Sequence, residues 1–238
     1  MANTSHVTAN RLTEESKGMQ ARSRKIVLML SAPIVLGAFI FSVGLGCVAF
    51  VIAFVIWVSQ RGNAIIESGA KGEDIALKHL KKLPDSFSIF NQVDIPSEKS
   101  RTGVVEADLV VCGPSAVFVI EVKHNNGMIE CVENSHQWSV RKVGRGGTAY
   151  GKEMRNPVKQ VKSQVWLLGE YLKHKKAKPW IQPVVLFTNS DVSLNYTDNL
   201  SVPVLTMSEI ISYLESFKLD SARPVKAVTV EALAALKG

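Results

Sequence analysis

Cysteine is scarce in this chain, three residues in 238, and Cys47, Cys112 and Cys131 form no C-x-x-C and show no zinc-ligand spacing. That argues against a structural metal and for a reducing compartment, with free buried thiols expected in preference to a Cys112–Cys131 bridge. Nucleotide-triphosphate chemistry of the Walker type is excluded, because the glycine-rich stretch Gly144-Arg-Gly-Gly147 lacks the G-K-[S/T] ending. Ser115 has no G-x-S-x-G elbow around it and reads as a turn residue. His124 and His136 each stand alone, so they read as hydrogen-bonded surface groups. No internal repeat or low-complexity tract occurs.

Charge is missing altogether from Ile26 to Gln60, thirty-five residues preceded by Arg22, Arg24 and Lys25 and followed by Arg61. A signal-peptide core spans only about 7 to 15 residues, so a cleaved leader does not fit. As one helix the run would be about 52 Å long, against a hydrocarbon core of roughly 30 Å. It therefore reads as a tilted transmembrane helix or as a helical hairpin turning near Gly44-Leu45-Gly46. Basic flanks on both sides favour the hairpin with both ends cytoplasmic. Residues 1–25 read as a polar cytoplasmic tail, disordered from Met1 to Gln20, 26–60 as the membrane segment, and 61–238 as one domain large enough for a proper core.

Within that domain strand and helix patterns alternate, which is the α/β class. Strands are expected over Ser86–Val93, Val104–Cys112, Ala116–Lys123, Met128–Val132, Pro183–Phe187 and Val202–Leu205. Helices are expected over Glu73–Leu83, Pro157–His174, Ser208–Phe217 and Val230–Lys237.

Chemistry concentrates at the end of one apolar strand, AVFVIEVK from Ala116 to Lys123. Alternation puts Glu121 and Lys123 on the same face. An isolated E-x-K is ordinarily a solvated ion pair worth roughly 0 to 1 kcal/mol. Here a second strand pattern, Glu106-Ala-Asp108-Leu-Val-Val, is joined by the hairpin punctuation Gly113-Pro114-Ser115. Antiparallel pairing would lay Asp108 across from Glu121. Two carboxylates and an ammonium then suit phosphodiester hydrolysis: hard oxygen ligands for Mg²⁺ (or Mn²⁺) and a cation for the attacking water or the transition-state charge.

At these residues the chain resembles a known family. Gly69-Ala-Lys-Gly72-Glu73, Thr102-Gly103, Glu106-Ala-Asp108-Leu-Val-Val, Phe118-Val-Ile-Glu121-Val-Lys123, Gly127-Met-Ile129, Trp138 and Asn156-Pro157-Val-Lys-Gln160 together resemble the nuclease-related domain, NERD, over roughly Gly69 to Asn189. That domain is similar in pattern to the PD-(D/E)xK restriction-endonuclease superfamily. The resemblance implies a mixed sheet flanked by helices, with Asp108 and Glu121 holding the metal, Lys123 assisting the water, and Glu73 and Gln160 supporting the site. Family members often carry a histidine after the motif aspartate; this chain has Leu109. From the residues alone, Glu73 reads equally as a first-turn acid favoured by the helix dipole, Gln160 with Gln164 as a polar helix face, and Asn156-Pro157 as an ordinary helix start.

Basic residues follow this cluster. From His136 to Gln182 there are eleven Lys and Arg against two acids. Arg141, Lys142, Arg145, Lys152, Arg155, Lys159 and Lys162 are the expected nucleic-acid contacts, with anionic lipid as the competing partner. The resulting expectation is a bacterial inner-membrane protein whose cytoplasmic domain hydrolyses DNA, with RNA left open as a substrate. The alternative is a non-catalytic, membrane-tethered module that binds nucleic acid or anionic lipid, or a scaffold for a protein partner.

Overall fold

Strands rich in Val, Ile and Phe need apolar cover on both faces, and the central sheet of this protein has it. The structure, a computed structural model, describes residues 1–22, 25, 66–143, 147, 149–219 and 224–237. It divides into Ala9–Lys71 and a second unit made of Met1–Thr8 with Gly72–Gly238. In the first of these, helix α1 (residues 11–22) is capped by Asn10, whose Oδ1 accepts from Leu12 N at 2.9 Å and Thr13 N at 3.3 Å. The charge-free run 26–60, with Cys47, lies outside the described residues. No helix among the described residues is long and apolar enough to cross a membrane.

Helix α2 covers residues 66–80. The elements that follow are β1 (Ser88–Pro96), β2 (Val104–Cys112), β3 (Val117–Lys123), β4 (Gly127–Cys131), β5 (Gln137–Val143), β6 (Ala149–Arg155), α3 (Pro157–His174), β7 (Ile181–Phe187), β8 (Val192–Tyr196), β9 (Val204–Thr206), α4 (Ile210–Ser216) and α5 (Ala227–Ala234). A five-stranded mixed sheet runs β1-β2-β3-β7-β9, with β1, β2 and β3 antiparallel and β7 and β9 parallel to β3. A four-stranded sheet runs β6-β5-β4-β8. The α/β expectation with a helix-flanked mixed sheet stands; three strands, β5, β6 and β8, fall where none was expected.

Two apolar cores result. One gathers Val117 and Val119 with Ile129, Trp138, Val140, Val158, Val161 and Leu168, so α3 and the smaller sheet share it. The other gathers Phe118, Ile120 and Val122 with Ala76, Leu80, Ile210 and Leu214, from α2 and α4. Trp138 is fully buried, with its indole donating to Val132 O at 2.8 Å, so it packs within the core. Cys112 and Cys131 are free and buried, and burial pushes both thiols up to about 12.

The disordered tail is corrected for its first residues. Asn3 N donates to Phe87 O at 2.7 Å and Ile89 N donates to Asn3 O at 3.0 Å. The His6 ring stacks on Phe90 with centroids 4.6 Å apart, and Thr8 and Asn91 exchange hydrogen bonds of 2.9 and 3.0 Å. β1 is an edge strand, and its open backbone groups order a polar segment that composition alone leaves without a partner.

Candidate active site

The β2–β3 hairpin brings the carboxylates together as its punctuation suggests. Leu109 pairs with Ile120, which sets Asp108 across from Glu121. Asp108 Oδ2 accepts from Val122 N at 2.8 Å, and Lys123 Nζ donates to Glu121 Oε1 at 2.5 Å. Glu121 is almost completely buried, whereas Asp108 and Lys123 remain partly open to solvent.

Helix α3 supplies the second side of the site, and Asn156 fixes where that helix starts. The Asn156 side chain accepts from Val158 N and Lys159 N, and Pro157 takes the first helical position. Its Nδ2 donates to Val132 O, Glu133 O and Ser135 O at 3.1, 3.1 and 2.8 Å. The ordinary helix start is thus also a buried junction between α3 and the β4–β5 connection. From that origin Gln160 and Gln164, four residues apart, fall on one face. Gln160 Oε1 accepts from Lys123 Nζ at 3.3 Å, and Gln164 Nε2 donates to Glu121 Oε2 at 2.8 Å and Glu106 O at 3.1 Å. Gln164 Oε1 is buried without a hydrogen-bond partner. Gln164 reaches the site although only Gln160 was assigned to it; the four-residue spacing was the available signal.

Helix α2 supplies the third side. Glu73 is not a first-turn acid, because the helix already runs from residue 66, so a favourable dipole does not explain it. It is buried, and Gln92 Nε2 donates to its Oε2 at 3.2 Å. The preceding Gly72 permits this approach: a Cβ there would sit 2.7 Å from His124 Cβ. His124 itself bonds Thr188 through Nδ1 at 2.9 Å. Leu109 is fully buried in the opposite core with Ile120, so that position faces away from the carboxylates and its lack of a histidine removes nothing from their side.

Charge does not balance at this centre. Burial, then repulsion from Glu121, raises the Asp108 carboxyl well above the usual carboxylate range; the Val122 N–H opposes this, Glu73 adds to it, and Lys123 contributes a smaller opposing effect. Asp108 and Glu121 present hard oxygen donors suited to Mg²⁺, which keeps several waters of its own. Among the described residues no three His, Cys, Asp or Glu are arranged to hold a metal ion by themselves. The pair Asp108 and Glu121 still fits a divalent cation of the Mg²⁺ type, which takes one or two carboxylates and completes its shell with water, and a buried amide oxygen on Gln164 has no partner.

This constellation lies within residues 68–188, which match the family described as nuclease-related domain and make up about half of the chain. The chain belongs to the nuclease-related domain family. A Bacillus anthracis protein described only as uncharacterized is 27% identical over 105 residues, covering 44% of this chain and 48% of that protein. The chain therefore spans about half the length of that curated relative. No solved structure matches.

The basic residues beside the nuclease-related domain's carboxylates do not form one surface. On β5 and β6, Val140 pairs with Lys152 and Lys142 with Tyr150, so Lys142 and Lys152 share a face, whereas Arg141 and Arg155 take the other. Partial burial, then the Lys152 ammonium, holds Lys142 below its usual range. Its Nζ donates to Asn126 Oδ1 at 2.6 Å. Lys159 and Lys162 are committed elsewhere, to Asn134 O at 2.8 Å and Glu133 Oε1 at 2.5 Å. Arg145 lies outside the described residues.

Proposed function

We propose that this chain is a metal-dependent nuclease that hydrolyses DNA phosphodiester bonds. The observation that carries this reading is the meeting of Asp108, Glu121 and Lys123 at a partly open site with an excess of negative charge. Asp108 and Glu121 would hold Mg²⁺ or Mn²⁺, which when bound supplies Lewis acidity at a phosphoryl oxygen and lowers the pKa of water. Lys123, steadied by Glu121 and Gln160, presents an ammonium that orients the attacking water or stabilises charge developing on the phosphoryl group. Gln164 keeps Glu121 in place from the helix side. Lys142 and Lys152 offer two like charges on one face, an arrangement that a phosphate backbone would relieve.

Full-length protein, wild type and Lys123→Ala, incubated with plasmid DNA and Mg²⁺ or Mn²⁺, tests the assignment. The wild type is expected to cut, and EDTA or the substitution to reduce cutting at least about a hundredfold, in the upper part of the range for a positioned proton-transfer or charge-stabilising group. A non-catalytic binding module gains support from the Glu121 Oε1–Lys123 contact, which engages one prospective ligand oxygen internally. Salt-sensitive DNA binding by a wild type that never cuts would select that reading.

Attachment to the cytoplasmic face of a bacterial inner membrane through 26–60 belongs to the same proposal. Arg22, Arg24 and Lys25 precede the uncharged run and Arg61 follows it, so basic residues flank it on both sides. That supports an even number of crossings, with the tail and the nuclease domain on one side. Cysteines introduced at Ser5 and at Ser212 should share the same protection from an impermeant thiol reagent in intact cells; labelling of only one would overturn this topology.

A further inference from the structure

Gln92 is one of two non-glycine residues with positive φ among the described residues, at 49°, and it stands inside β1. Such a conformation is uncommon for a side chain with a Cβ and, within a strand, marks a place where surrounding structure holds the backbone against its preference. Asn91 pairs with Leu109 and Val93 with Ala107, which sets Gln92 opposite Asp108. Alternation resets on both strands at this rung. On β1, Ile89 faces one core and Phe90 the other, yet Val93 and Ile95 both join the core of Phe90. On β2, Leu109 and Val111 face one core and Val110 the other, yet Ala107 joins the core of Val110. The shift leaves Gln92 buried, with its amide donating to Glu73 Oε2 at 3.2 Å.

We propose that Gln92 is a positioning residue of the candidate metal site, its left-handed backbone turning the amide onto Glu73 so that this carboxylate stays at the Asp108–Glu121 cluster. The inference rests on the nuclease reading above. Gln92 acts through Glu73, to which its amide donates. A backbone accident would confer no consequence on metal binding. A positioning role ties the amide, and not the backbone angle, to affinity.

Two substitutions separate these. Gln92→Gly removes the amide and relaxes the backbone, whereas Gln92→Ala removes the amide and keeps the strain. Mn²⁺ binding to the full-length protein, read from the paramagnetic signal of the free ion, is measured alongside the thermal midpoint. Both variants should lose about tenfold in Mn²⁺ affinity, the scale of an outer-shell partner, while Gly melts above Ala. Unchanged affinity in the Gly variant, or a loss confined to Ala that follows its melting temperature, overturns the proposal and leaves the metal site standing. A wild type that does not bind Mn²⁺ at millimolar concentration removes the metal site and this inference with it.

Discussion

Asn156 at the start of α3 and Asp108 in the middle of β2 both bring polar groups into the protein, with opposite results. Around Asn156 the side chain meets three carbonyls and two N–H groups, so its amide is used at both ends. Around Asp108 like charges gather, Gln164 keeps an unpartnered oxygen and Gln92 holds a disfavoured backbone angle. The first cluster is what a fold needs, since buried polar groups are tolerated when their hydrogen bonds are made. The second carries charge repulsion and strain that packing must outweigh, a pattern concentrated at functional sites.

The largest expected effect comes from breaking the satisfied cluster. Asn156→Ala deletes a helix cap and a donor shared by three backbone carbonyls, and should cost about 2–4 kcal/mol of stability. Denaturant unfolding in EDTA and in Mg²⁺ should give the same loss, because nothing in that junction involves the carboxylates.

Breaking the unbalanced cluster should act in the other direction. The folded-state pKa of Asp108 is raised, so its contribution to stability is full below the unfolded pKa and disappears as pH rises through the folded value. In EDTA the wild type should therefore lose stability on going from mildly acidic pH toward neutrality and above. Asp108→Asn, which keeps an oxygen for Val122 N, should flatten that dependence and stabilise the metal-free protein at neutral pH by on the order of 1 kcal/mol. Mg²⁺ should remove the wild type's pH slope and leave the variant's stability unaltered. A variant less stable than wild type in EDTA at neutral pH would show that the charge at position 108 is not a burden on the fold.

The two clusters also differed in how far the sequence revealed them. Asn-Pro before an amphipathic run marked the start of α3 at Pro157, and the turn between two apolar runs placed Asp108 across from Glu121. Both signals are local. The helix expected from Glu73 in fact already runs from residue 66, with Gly69 and Gly72 inside it; at Gly72 the close approach of His124 is a tertiary demand that outweighs a propensity cost of about 1 kcal/mol. β5 and β6 were hidden because long charged side chains mask their alternation, and β6 exposes nearly every residue. Gln92 left no trace, since nothing in its own residue type calls for a positive φ.

That masking bears on the smallest expected effect, within the basic set. Lys162 holds Glu133 in a partly exposed ion pair, so Lys162→Ala should cost at most about 1 kcal/mol of stability. With Lys159 bound to a backbone carbonyl nearby, these two cations already have protein partners and should contribute little to DNA affinity. Lys142 also has a partner, the neutral Asn126 Oδ1, yet it and Lys152 repel one another on a shared face, and an incoming phosphate would relieve that repulsion. Replacing both with alanine should lower the slope of log affinity against log salt by about 2, whereas replacing Lys159 and Lys162 should change it by well under 1. Fluorescence anisotropy with a labelled duplex, titrated at several salt concentrations in EDTA, reads both slopes. Equal slopes in the two double variants would mean that charge density along this segment, and not the pairing of β5 with β6, governs contact with DNA.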